Sequence, residues 1–393
     1  MKIKNVCKKI FHVFLIILVI FLLLWLIIFI NSKIRVTRDK TFLKESGYYN
    51  LVSAGNYSVN VLPYGNENGK HRIIVMAGYG IPDSCITMRR MTSTLEVENQ
   101  VIFIDRAGYG ISEDTNQDMT VENIVEAYRT ALKNTGIETP YILMPHSIGG
   151  LYATYWESKY PDEIEGIVII DGTELESISP NKQKNDNHEV ALFYVLDKAG
   201  IGGTGNILLK KFLPPKKWLN KEQQRAESAM TLMTYDSKAL ISESKLENRN
   251  IDTAWKSIVT NNIPKIYISA AYFTEEDIEA DDILTEETIE ILMADRRKLK
   301  KALDKQYKNG EIKKSEYYEL LPELPNTQEE SRQMAMEDML KLGQDYKQRI
   351  LLPYLKKLGN CELFNLPGDH LIYEQKPVEL AKIIKDFIIE IDK

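Results

Sequence analysis

Apolar residues along this chain fall into three kinds of run, and each kind predicts a different element. The first is one long block. Residues 10–30, IFHVFLIILVIFLLLWLIIFI, are apolar except for His12, and a run of that length at helical rise matches the hydrocarbon thickness of a bilayer. The second kind is short and unbroken: RIIVM at 72–76, VIFI at 101–104, YILM at 141–144 and GIVII at 166–170. Such runs, bounded by turn residues, read as strands buried on both faces. The third kind has helical period. Val121, Ile124, Val125, Tyr128 and Leu132 share one face of a helix over 120–134 that Thr120 can cap, and Leu380, Ile383, Ile384 and Phe387 face inward from a closing helix over 377–391. Strands alternating with helices predict an α/β fold: a mostly parallel sheet with right-handed crossovers and helices on both faces. The alternating SVNVLP before Tyr64 predicts an early antiparallel strand. IPKIYISA at 263–270 and CELFNLP at 361–367 predict two late ones.

Two excursions break this rhythm. Residues 174–262 carry helical stretches without a strong strand, as a helical cap would. Residues 275–345 are highly charged: an acidic stretch without lysine or arginine up to Asp295 is followed by RRKLKKALDKQYK. The acidic part lacks the glycine-bearing spacing of a calcium loop, so a solvated helix pair is expected. The organisation is therefore a tail and anchor at 1–35, a polar, basic stretch over 31–53, a first core part at 54–173, the cap at 174–262, a core strand at 263–274, the charged insertion at 275–345 and a last core part at 346–393.

Charge refines the reading of the amino terminus. Lys2, Lys4, Lys8 and Lys9 precede the apolar block, and Lys33, Arg35, Arg38 and Lys40 follow it. The block is longer than a signal-peptide core, and FINSK at 29–33 offers no small-residue cleavage site, so an uncleaved single-pass anchor is expected, with His12 interfacial. Positive charge on both sides leaves orientation to be argued from size: a short basic tail inside, the bulk of the chain outside the cytoplasm. The net charge of −6 and the lack of a basic patch interleaved with aromatics argue against a nucleic-acid partner. Cys7, Cys85 and Cys361 are far apart, at no zinc or disulfide spacing, and read as free thiols.

Candidate chemistry begins at 141–150, YILMPHSIGG. A buried strand turns abruptly at Ser147 into the amphipathic helix LYATYWESKY. A serine on such a turn is exposed at the carboxyl end of the sheet, facing the positive end of the helix and its free N–H groups. This is a nucleophile elbow of the G-x-S-x-G type with Pro145 in place of the first glycine; the plainer alternative is a Ser-Gly helix start without chemistry. A serine hydroxyl needs a base, and the base needs an orienting acid. Of the five histidines, His12 lies in the apolar block, His71 at the opposite end of the sheet, His188 in the cap, and His146 beside the serine with its side chain expected to point away. His370, in a loop after the last strand, is at the correct edge. Asp171 ends the strand after the elbow helix and is favoured as the acid; Glu275, Glu276 and Asp277, after the next strand, are the alternative. The backbone N–H groups of Ile148 and of Tyr79, in the loop Gly78-Tyr79-Gly80, are the expected oxyanion donors.

Together these residues resemble the α/β-hydrolase superfamily over about 54–175, 262–272 and 345–393. DRAGYGIS at 105–112 is similar to the loop after the fourth strand of that fold, HSIGG at 146–150 to its elbow, and PGDHLIYEQKP at 367–377 to its histidine loop. The resemblance implies Ser147 as nucleophile, His370 as base, and Tyr79 and Ile148 as oxyanion donors. Some members, such as one branch of haloalkane dehalogenases, carry the acid at the end of the sixth strand, where Asp171 stands, but use an aspartate nucleophile; the serine here disfavours dehalogenation. Departures are Pro145, Ala77 where many members have histidine, and the insertion at 275–345. The expected activity is hydrolysis of an ester or related acyl bond in a small-molecule or lipid-like substrate, without a metal or organic cofactor. Acyl transfer, peptide hydrolysis and a non-catalytic binding module on the same scaffold are the alternatives.

Overall fold

The computed structural model describes residues 2–179, 192, 194–196, 198–200, 216–234 and 237–393. His188, part of the expected cap and the Cys7 thiol lie outside the described residues. Eight strands form one sheet: β1 (Leu51–Ser53), β2 (Ser58–Gly65), β3 (Arg72–Met76), β4 (Gln100–Ile104), β5 (Tyr141–Pro145), β6 (Ile164–Ile170), β7 (Lys265–Ser269) and β8 (Cys361–Asn365). Their spatial order is β1-β2-β4-β3-β5-β6-β7-β8. β1 and β2 are antiparallel to their neighbours, and β3 to β8 run parallel.

The unbroken apolar runs are explained by burial on both faces. On β3 to β6, Ile74, Ile102, Leu143 and Ile169 point to one side. They meet the helices Val121–Thr135 and Gly149–Lys159 through Tyr128, Leu132, Leu151 and Trp156. Ile73, Phe103, Ile142 and Val168 point to the other side, toward Met91 and toward Leu380, Ile384 and Phe387 of the helix Pro377–Ile391. The period-2 alternation of side chains thus feeds two cores from each strand. Each large side chain so buried contributes about 1.5–3 kcal/mol. Thr120 caps the helix Val121–Thr135 by accepting from the Asn123 N–H, and Gly136 ends it in the left-handed region at φ 74°.

Three expectations are revised. The amino-terminal helix does not stop near residue 35 but runs Lys2–Glu45, and Leu43 at its end is buried in the second core; its apolar part is long enough to cross a membrane. The three-residue strand β1 lies in what reads as a polar stretch. The charged insertion is not a solvated helix pair. It contains the helices Glu275–Ala280, Glu286–Lys308, Lys314–Leu320 and Gln328–Tyr346, with a small core of its own around Ile278, Leu284, Met293 and Ala335. Cys85 and Cys361 are free thiols.

One polar contact pins the amino edge of the sheet. Lys265, at the start of β7, is buried, and its Nζ lies 2.7 Å from Oε1 of the equally buried Glu157. Nζ also donates to Asn261 Oδ1 (2.9 Å), Ile263 O (2.8 Å) and Gly359 O (3.1 Å). Removing one partner strands the other charge. Lys265→Ala is therefore expected to cost about 3–5 kcal/mol, while Lys265→Met combined with Glu157→Leu recovers most of it. Denaturant unfolding of the full-length chain in detergent measures both; an unchanged midpoint for Lys265→Ala would refute the assignment.

Candidate active site

Ser147 sits at φ 54°, a region that a serine rarely enters. Three strands hold it there. The His146 N–H donates to Met76 O at the end of β3 (2.9 Å), and the Ser147 N–H to Ile170 O at the end of β6 (3.2 Å). The Ser147 carbonyl then accepts from Gly150 (2.9 Å) and from Thr173 (3.0 Å). Small residues are required around the turn. A Cβ on Gly149 would lie 2.4 Å from Met76 O, and one on Gly78 would lie 3.1 Å from Ser147 Cβ and 2.8 Å from His146 Nδ1.

Asp171 follows β6 at φ 40°. Its N–H donates to Ile268 O (2.8 Å), and its Oδ1 accepts from the Ala270 N–H (3.0 Å). Oδ2 lies 2.6 Å from His370 Nδ1; with the proton on Nδ1, the imidazole donates to the carboxylate and Nε2 keeps its lone pair. The His370 loop is tied down by Leu366 donating to Ser269 O (2.9 Å) and Gly368 to Ala270 O (2.9 Å). The hydrogen bond to Asp171 raises the His370 pKa above its ordinary 6.5, against opposing desolvation. Ser147, Asp171 and His370 line one open pocket of about 570 Å³, together with Glu174, Tyr272 and Tyr346.

The alternative acids are committed elsewhere. Glu275, Glu276 and Asp277 form the first turn of the helix Glu275–Ala280, and Asp277 closes a capping box with Thr274. His71 is buried at the amino end of β3, between Glu165 (3.0 Å) and Asp392 (3.1 Å). Tyr79 and Ile148 are not among the pocket-lining residues; neither N–H donates to a described residue, and Gly78 places the Tyr79 loop against Ser147.

Several residues around the site make contacts that sequence reasoning does not reveal. His146 is fully buried, and its Nε2–H donates to the His370 carbonyl at 2.8 Å. Its ring lies 4.7 Å from that of His370. Burial pushes its pKa down to about 4, so it stays neutral and supports the loop. Arg106 is buried beneath the Gly78 loop and faces Glu243 of the helix Lys238–Ser257. Desolvation opposes its charge, and Glu243 together with the hydroxyls of Tyr109, Tyr128 and Tyr152 more than offsets that. Glu174 accepts from Tyr267 (2.6 Å) and from Tyr346, the last residue of the insertion helix Gln328–Tyr346. Of these, only Arg106 carried a signal, as a charge beside a buried strand. Among the described residues no group of three or more His, Cys, Asp or Glu is arranged to hold a metal ion.

Comparison with known proteins is consistent with this geometry. The uncharacterized protein YbdG of Bacillus subtilis is 33% identical over 199 residues, half of this chain and 60% of that protein. The cis-3-alkyl-4-alkyloxetan-2-one decarboxylase of Shewanella oneidensis is 29% identical over 28% of this chain and 35% of its own length. The chain thus spans less than two thirds of these relatives. The enol-lactonase structure from Burkholderia xenovorans LB400 superposes with a TM-score of 0.50 at 13% identity, covering 86% of this chain and 99% of that one, a likeness of fold alone. A family model described as alpha/beta hydrolase fold matches residues 73–271, half of the chain, and the strand order and elbow agree with it: this protein belongs to the alpha/beta hydrolase family.

Proposed function

We propose that this protein is a membrane-anchored serine hydrolase that cleaves an ester or related acyl bond. The reading rests on one observation: His370 Nδ1 is 2.6 Å from Asp171 Oδ2, and both side chains share a pocket with the strained Ser147. In this mechanism His370 Nε2 takes the hydroxyl proton as Ser147 Oγ attacks the acyl carbon. Asp171 holds the tautomer and stabilises the imidazolium. The Tyr79 and Ile148 N–H groups receive the oxyanion. The imidazolium then protonates the leaving group, and water, deprotonated by His370, resolves the acyl-serine. No step calls on a metal or organic cofactor. The apolar helix carries the chain as a single-pass anchor, with the hydrolase part outside the cytoplasm. The substrate is a small-molecule or lipid-like acyl compound. A β-lactone belongs in the test panel, because one relative is named for an oxetan-2-one.

Labelling the full-length protein in detergent with a fluorophosphonate tests the nucleophile. Wild type is expected to label and Ser147→Ala to remain unlabelled; a folded wild type that never labels supports a binding module instead.

The acid has its own test. Asp171→Asn is expected to lower kcat by about 10³–10⁴-fold, because the imidazole loses its tautomer. His370 must be neutral to act, so kcat/KM should rise with pH through a value above 6.5 in wild type and through a lower one in Asp171→Asn. The same shift gives a stability signature. A raised folded pKa means stability that is fully present below the unfolded value and is lost as pH rises through the folded one; Asp171→Asn should remove that slope. An NMR titration of His370 unaffected by Asp171→Asn would sink the pairing.

A further inference from the structure

The orientation of the Tyr79 N–H is set by the peptide planes of the loop that carries it. Arg106 Nη1 donates to Ala77 O at 2.6 Å, and Nη2 donates to Gly78 O at 2.8 Å. A guanidinium is a rigid planar fork, so two parallel bonds fix both peptide planes at once. In a trans peptide the C=O and the following N–H point in opposite directions. Holding Gly78 O against Arg106 therefore turns the Tyr79 N–H away from Arg106. The same loop borders Ser147: a Cβ at Gly78 would lie 3.1 Å from Ser147 Cβ.

Arg106 is in turn held from the cap. Its Nε lies 2.9 Å from Glu243 Oε1, an ion contact away from the N–H axis. Glu243 is fully buried and accepts from Tyr109 Oη (2.8 Å) and Tyr152 Oη (2.6 Å). The guanidinium also stands 4.2 Å from the centroid of the Tyr109 ring. Tyr109 Oη accepts from the Gly80 N–H (3.2 Å), and Tyr79 Oη donates to Leu240 O (3.3 Å). The helix Lys238–Ser257, which carries Leu240 and Glu243, therefore grips the loop at several points.

We propose that Arg106, backed by Glu243 of the cap helix, is a positioning residue that orients the Tyr79 N–H toward the oxyanion formed at Ser147. The assignment rests on the hydrolase reading. It goes beyond it in placing the control of the oxyanion site on a buried ion pair shared with the cap.

The test uses the full-length chain in detergent. Arg106→Met is combined with Glu243→Gln, so that no lone carboxylate is left buried. On p-nitrophenyl acetate, kcat is expected to fall about 10²-fold, the scale of one lost oxyanion donor, with KM little changed. Arg106→Lys, which can reach one carbonyl, should retain part of that kcat. A structure of the double variant should show the Gly78–Tyr79 peptide rotated. Unchanged kcat in a folded double variant, a loss carried by KM instead of kcat, or an unrotated peptide would each overturn the proposal. If wild type hydrolyses no ester, the hydrolase reading fails, and the peptide orientation still decides the role of Arg106. If the double variant does not fold, the peptide orientation in Arg106→Lys makes the same decision.

Discussion

A serine at positive φ is the constraint on which the site depends. That conformation costs of order 1–3 kcal/mol and persists only where the surroundings over-determine it. Here the surroundings are the ends of β3 and β6, which accept the two N–H groups before the turn, and the Gly150 and Thr173 N–H groups, which take the serine carbonyl. The elbow is therefore not a local turn that happens to sit on a sheet. It is a clamp whose jaws are neighbouring strands, and the parallel order β3-β5-β6 is what brings the jaws together. Glycine at 78 and 149 follows from the clamp, because a side chain at either position would occupy backbone or Ser147 itself.

The same logic carries outward in layers. His370 comes from the far end of the chain, yet its backbone is supported by His146, one residue before Ser147. A neutral imidazole suits that role. Deeply buried, it donates one hydrogen bond without placing a second positive charge beside the His370 ring. Further out, the helix Lys238–Ser257 reaches the loop beside Ser147 through Glu243 and Arg106, and the charged insertion reaches the pocket through Tyr346. Both excursions from the α/β rhythm thus end as parts of the pocket's surroundings.

What the sequence discloses follows from which interactions have a period. The buried strands and flanking helices were legible because their apolar spacing reports directly on two-sided and one-sided burial. Ser147, Asp171 and His370 could be placed at one edge because strand ends of a parallel sheet share a direction. The contacts that orient them have no such signature. Nothing in Glu243 or Tyr346 distinguishes a buried partner from an exposed helix residue, since each pairs across more than a hundred positions. The insertion's small core was hidden for a related reason: Ile278, Leu284, Met293 and Ala335 are isolated apolar residues diluted among charges. β1 leaves no legible signal because three residues carry too little pattern.

Pro145 shows why a motif is best judged by the constraints it serves. Glycine at that position offers freedom in φ and room for the helix that follows. Proline gives up the freedom and one N–H, and the β5–β6 pairing that ends at Leu143 resumes beyond it as a bridge between His146 and Ile170. The pairing that matters is made one residue later, by the His146 N–H on Met76 O. Room for the ring is supplied from the other side of the turn: a Cβ on Gly149 would approach Pro145 Cβ to 3.3 Å, so the missing side chain at 149 now accommodates both the proline and the strand behind it. The burden of one absent glycine has moved to another, and the positive φ at Ser147 is retained.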